Sequence, residues 1–118
     1  MSKGSEIYKN LIDELVKMSR SCVAANRIIK GEVKGVETET GINDVLDKLD
    51  EKEREILAQY VLNAYHSGIY DTLEQLEWLR VCKNMVITVE GEILPTGEYE
   101  GIPCDYIGRR EDWEWPED

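Results

Sequence analysis

The sequence predicts a mainly helical α+β fold: four to five helices around a central αα-hairpin at about residues 50–80, a small β-hairpin at about 85–94 and a C-terminal cap. Three observations carry this reading. Asp50–Arg80 holds the strongest helical periodicity in the chain, Ile7–Val16 forms a second amphipathic stripe, and Met85–Val89 is a β-branched run closed by Glu90-Gly91. Apolar residues recurring every three to four positions put one helix face against a core, whereas β-branched runs bounded by turn residues suit a strand.

In chain order, Ser5 reads as an N-cap with Glu6 in the first turn. Ile7, Tyr8, Leu11, Ile12, Leu15 and Val16 then make the buried stripe, with Asp13, Glu14 and Lys17 opposite. Ser19-Arg20-Ser21 weakens the helix, because serine hydroxyls compete for backbone groups. Ser21 reads as the cap of a second helix, Cys22–Lys30, ended by Gly31, and Glu32–Thr40 reads as loop. A short helix carrying Val45, Leu46 and Leu49 leads to Asp50, which forms the aspartate version of a capping box with Glu53. Ile56, Leu57, Tyr60, Val61, Ala64 and Tyr65 supply the next apolar face. Gly68 reads as the left-handed residue that ends this helix. Asp71 with Glu74 then caps a partner helix whose stripe is Ile69, Leu73, Leu76 and Leu79. One unbroken helix through Gly68 is the alternative, since the first stripe can be continued through it. Glu90-Gly91 makes the tight turn of the β-hairpin, and Pro103 opens a last helical turn through Cys104, Tyr106 and Ile107.

At 118 residues the chain reads as one domain. Such a length can bury roughly 65% of the unfolded surface without metal or disulfide staples. Phe is absent, so six Tyr and three Trp carry the aromatic packing, each with a polar atom that needs a partner when buried. The net charge of −11 is uneven: residues 1–36 carry seven basic and four acidic side chains, net +3, while residues 37–89 carry −6 and residues 90–118 carry −8. Lys17, Arg20, Arg27, Lys30 and Lys34 give the N-terminal part its basic tendency, which solvated helix faces explain. Nucleic-acid affinity comes from Lys and Arg neutralising phosphates, so direct binding of nucleic acid is not expected. An acidic mimic of nucleic acid that fills another protein's basic groove is one reading of this charge. An acidic surface that keeps a cytosolic protein soluble is the simpler one.

Cys22, Cys82 and Cys104 are widely spaced and odd in number, without a CxxC pair, and His66 is the single histidine. A four-ligand zinc site would need all three thiols and that histidine from four separate places, unlike the close ligand pairs of structural zinc sites. Buried reduced thiols, and hence a reducing compartment, are the simpler expectation. No signal peptide and no apolar run of membrane-spanning length is evident, so a cytoplasmic protein is expected, with no membrane attachment and no cofactor.

Four segments together resemble a known pattern: YKNLIDELVKMS (Tyr8–Ser19), NRIIKGE (Asn26–Glu32), SGIYDTLEQLE (Ser67–Glu77) and CDYIGRREDWEWPED (Cys104–Asp118). They resemble a family of small bacterial proteins known as a domain of unknown function. In that pattern the Gly-Ile pair is often followed by His-Asp, where this chain has Tyr70-Asp71. This departure argues against carrying over any site built around a histidine there. The resemblance implies a bacterial cytosolic protein and transfers no activity.

No P-loop, GxGxxG, GxSxG, HExxH or helical ExxH motif occurs, and the carboxylates are too many to single out a catalytic pair. His66, beside Tyr65 and Tyr70 at the expected turn, is a candidate general base, or a base for one of the thiols if the fold brings them together. The simpler explanation is that the helix dipole favours a partly solvated histidine near a helix C-terminus. A candidate interaction surface is Tyr99, Tyr106, Arg109, Arg110, Trp113 and Trp115, because Tyr, Trp and Arg are enriched at interface hot spots. The competing reading has Trp113 and Trp115 folding back to seal the helical core, with Arg109 and Arg110 stacked on them or paired with acids. The expected function is thus a protein-interaction domain without catalytic activity, its partner another protein or a second copy of the chain.

Overall fold

The computed structural model describes residues 2–33 and 41–116. Ser2, not Ser5, starts the first helix: its hydroxyl oxygen accepts the Ser5 N–H at 3.1 Å and its carbonyl accepts from Glu6. Ser5 falls inside the first turn of this helix, α1 (Lys3–Ser19), where it is buried and donates to Glu98 at 2.6 Å. The cap of α2 (Val23–Lys30) likewise lies one residue beyond expectation, at Cys22, whose sulfur accepts the Ala25 N–H. Gly31, with φ 78°, closes α2, and α3 (Ile42–Asp47) follows. Part of the expected Glu32–Thr40 loop, residues 34–40, lies outside the described residues.

The expected central hairpin is instead one continuous helix. Glu51–Cys82 is a single helix of 32 residues, α4, opened by the predicted capping box: Glu53 N–H donates to Asp50 and Asp50 N–H to Glu53, at 2.8 and 2.9 Å. Gly68 sits inside it, exposed, and its carbonyl accepts the normal helical partner's side chain, Thr72 Oγ1, at 2.8 Å. One glycine costs about 1 kcal/mol relative to alanine in a helix, too little to break a helix whose neighbouring turns are packed. Asp71 and Glu74 are therefore interior positions, not a second cap. The left-handed residue that ends α4 is Asn84, with φ 58°, and Met85 N–H donates back to Leu79 O at 3.1 Å.

Beyond α4, β1 (Thr88–Val89) pairs antiparallel with β2 (Glu92–Ile93) in the register Thr88↔Ile93, Val89↔Glu92. Glu90 and Gly91 both have positive φ, 53° and 79°, as a two-residue turn matching strand twist requires. The final helix, α5 (Ile102–Arg110), starts with Pro103 in its first turn. After it Asp112, at φ 64°, reverses the chain, and Trp113 N–H donates to Gly108 O at 2.9 Å.

The chain divides into two compact units, Met1–Met18 with Gly68–Asp118, and Ser19–Ser67. The first has a core of Tyr8, Ile12, Val16, Leu73, Leu94, Ile102 and Tyr106. The core of the second is smaller, built on Ala25, Ile28, Leu46 and Ala58 with Leu57, Val61 and Leu62 packed against it. The inward face of α4 here is offset from the expected one, leaving Ile56 and Tyr60 exposed. The expected stripe was two residues wide, and only the side containing Leu57 and Val61 meets the small core. No helix among the described residues is long and apolar enough to cross a membrane.

Candidate functional site

A buried polar network in the first unit holds α5 against the C-terminal half of α4. Arg80, only 5% exposed, donates to Glu77 at 3.1 Å and also to the Pro95 carbonyl at 2.6 Å and Thr96 Oγ1 at 3.1 Å. Glu77 Oε2 in turn accepts the Ile102 N–H at 3.3 Å, at the first turn of α5. A second tie runs from α5 to α1 through one residue. Asp105, 1% exposed, accepts the Tyr8 hydroxyl at 2.5 Å and the Glu100 N–H at 3.2 Å. Burial pushes the Asp105 carboxyl above its ordinary range against the opposing pull of these hydrogen bonds, and burial with the Asp105 contact pushes the Tyr8 phenol upward. Sequence reasoning placed Tyr8 in the core and missed its partner, because nothing in local spacing links residues 97 positions apart.

This attachment leaves an open groove of about 390 Å³, lined by Tyr70, Glu74, Glu77, Trp78, Val81 and Cys82 of α4 and by Pro103 and Cys104 of α5. Tyr70, Glu74, Trp78 and Val81 share one helix face because they are spaced by four and three residues. Trp78 is 48% exposed and Val81 62%, a large apolar surface to leave in solvent. Lys83 Nζ lies 5.5 Å from the Trp78 ring centre, a cation over a π face. The Tyr70 hydroxyl is hydrogen-bonded to Glu74, which raises its pKa. Cys104 also lines an adjoining hollow of about 200 Å³ with Glu100, Asp105, Gly108 and Trp113. The residue is exposed, yet partial desolvation of its thiol is the first cause that raises its pKa, followed by the charges of Asp105, Glu100, Glu74 and Glu77. A thiol held protonated in this way is a poor nucleophile. Among the described residues no three His, Cys, Asp or Glu side chains are grouped to hold a metal ion.

The C-terminal residues singled out in the sequence are mostly engaged in packing. Tyr106 is wholly buried in the core, so it offers no surface. Tyr99 stacks on Tyr8 at 5.6 Å, and Trp115 meets Tyr99 edge-on at 5.1 Å and Trp113 at 5.2 Å. Arg109 lies 5.6 Å from the Trp115 ring centre, pairs with Asp13 at 2.7 Å and donates to the Trp113 carbonyl. Trp115 Nε1 donates to the other Asp13 oxygen at 3.3 Å. Asp13, expected on the solvated face of α1, is thus the anchor of the returning tail. Arg110 is half-buried, and Trp113 remains half-buried beside the hollow at Cys104. Tyr65, His66 and Tyr70 are half-buried and lie in the middle of α4, not at a turn. Tyr65 lines an apolar groove of about 690 Å³ in the second unit with Cys22, Val61 and Ala64, and Tyr70 belongs to the α4–α5 groove. Trp78, Val81, Glu74 and Cys104 were not singled out as a site, although the i, i+4 spacing of Tyr70, Glu74 and Trp78 was legible.

The architecture and the groove define a small, mainly helical α+β protein with a solvent-exposed apolar cleft edged by carboxylates. The chain belongs to a family of unknown function, DUF6547, whose model matches residues 1–117. No curated protein and no solved structure matches it.

Proposed function

We propose that this chain is a protein-interaction domain whose contact face is the α4–α5 groove. The exposure of Trp78 and Val81 within a formed cleft carries the reading: a half-exposed Trp in a pocket with an adjacent aliphatic side chain is the kind of anchor that dominates interface energies. The C-terminal aromatics, first candidates for that role, are turned instead to one another and to Tyr8. Catalysis is disfavoured at the groove, since the pKa of the Cys104 thiol is raised and Glu77 is committed to Arg80 and Ile102. The cytosol is the compartment that suits exposed Cys82 and Cys104, neither in a disulfide.

A photo-crosslinker attached at Cys104 in a Cys22→Ser, Cys82→Ser background tests this. In lysate of the source cell it should capture a discrete partner. Capture should fall away when Trp78→Ala and Val81→Ala are combined, while circular dichroism stays unchanged. Equal capture by that variant, or by a probe attached through a cysteine introduced at Glu14 on α1, would sink the proposal.

A further inference from the structure

Resting on the groove as the contact face, we infer that its partner presents a cationic segment with apolar anchors. Charge complementarity around an apolar floor favours such a segment. Trp78, Val81 and Pro103 supply the floor, and Glu74 lines the groove at its edge. Asp71, Glu100 and Asp105 add negative charge nearby, felt by Tyr70 or Cys104. The bases are few: Arg80 is buried against Glu77, and Lys83 lies over Trp78. The charges that act most strongly on the Cys104 thiol are the carboxylates of Asp105, Glu100, Glu74 and Glu77, which makes that end of the groove electronegative. Lys83 Nζ stands over the Trp78 face, a position that a partner's Lys or Arg can share or take over. A second copy of the chain is the poorer occupant, because each copy carries a net charge of −11. From Tyr70 to Cys82 the α4 wall runs about 18 Å at 1.5 Å per residue, matched by a short amphipathic helix laid along it.

Three fluorescent peptides of about 14 residues, a helix of about 21 Å, test this by anisotropy against the intact protein. All carry leucines at alternating three- and four-residue spacing; the flanking positions are Lys in one, Gln in the second and Glu in the third. The Lys peptide should bind, with affinity falling by about tenfold or more between 50 and 300 mM salt as screening shortens from roughly 14 to 6 Å. Glu74→Gln combined with Glu100→Gln should weaken it severalfold and flatten the salt dependence. Trp78→Ala should weaken it at least as much at either salt. Equal binding of the Gln peptide would overturn the cationic inference while leaving the groove reading in place. Lys-peptide binding that ignores both Trp78→Ala and the glutamate substitutions would be mere attraction to an acidic chain and would also overturn it. A dimer in sedimentation that Trp78→Ala dissolves would replace the cationic partner with a second copy. Failure of the groove reading has a separate signature, the Trp78-insensitive capture described above.

Discussion

Arg80 and Asp105 carry more of this structure than their residue types announce. Each is a buried charged side chain satisfied partly by groups distant in sequence, Pro95 and Thr96 for Arg80 and Tyr8 for Asp105, and removing one partner from a buried charged pair typically costs about 3–5 kcal/mol. Arg80→Met is accordingly expected to lower urea stability by about that amount, because the Pro95 carbonyl and Glu77 lose their donor. Tyr8→Phe removes a hydrogen bond to a carboxylate, for about 1.5–3 kcal/mol near neutral pH. Its pH dependence has a definite sign. The folded phenol has a raised pKa, so its contribution is fully present below the ordinary value of 10.0 and is lost as pH rises through and beyond it. The wild-type urea midpoint should therefore drop more steeply above pH 10 than that of Tyr8→Phe; parallel curves would contradict the buried placement. At Cys104 the negative field predicts faster modification by a cationic than by an anionic methanethiosulfonate in a Cys22→Ser, Cys82→Ser background. Equal rates would remove the electrostatic argument for the groove.

Among the helices, two glycines in opposite surroundings predict opposite outcomes. Gly68 is exposed in mid-α4 with open space where a Cβ would go, so Gly68→Ala should stabilise by about 0.5–1 kcal/mol. An αα-hairpin turning at Gly68 would instead be destabilised by the same change, which makes thermal unfolding a direct discriminator. Gly4 lies in α1, where an added Cβ would stand 2.6 Å from the Ile93 carbonyl oxygen. Gly4→Ala should destabilise by about 1–3 kcal/mol through overpacking. In the hairpin, Glu90 occupies a left-handed position that asparagine tolerates better, so Glu90→Asn should raise the melting temperature slightly. The capping box at Asp50–Glu53, the turn at Glu90-Gly91 and the opening of α5 near Pro103 were legible because each depends on a few neighbouring residues. The continuity of α4 was not: local glycine and Asp-xx-Glu signals favoured a break, whereas packing of the turns on either side overrides a penalty of about 1 kcal/mol.

For the whole molecule, a net charge of −11 and an isoelectric point near 4.5 predict lowest solubility near that pH and no mobility shift of duplex DNA at low salt. A retarded DNA band would contradict the charge argument. The sequence by itself determined the mainly helical class, the places of most elements and the acidic character, since these follow from periodicity, turn chemistry and composition. Only the tertiary structure decided which aromatic residues are spent on packing and which remain available. Tyr106, Tyr99 and Trp115 are absorbed by partners far along the chain, while Trp78, unremarked in sequence, stays at the surface of a groove. The physical reason is that periodicity marks a helix face as apolar, but the number of neighbours available to cover that face is set by contacts between residues remote in sequence.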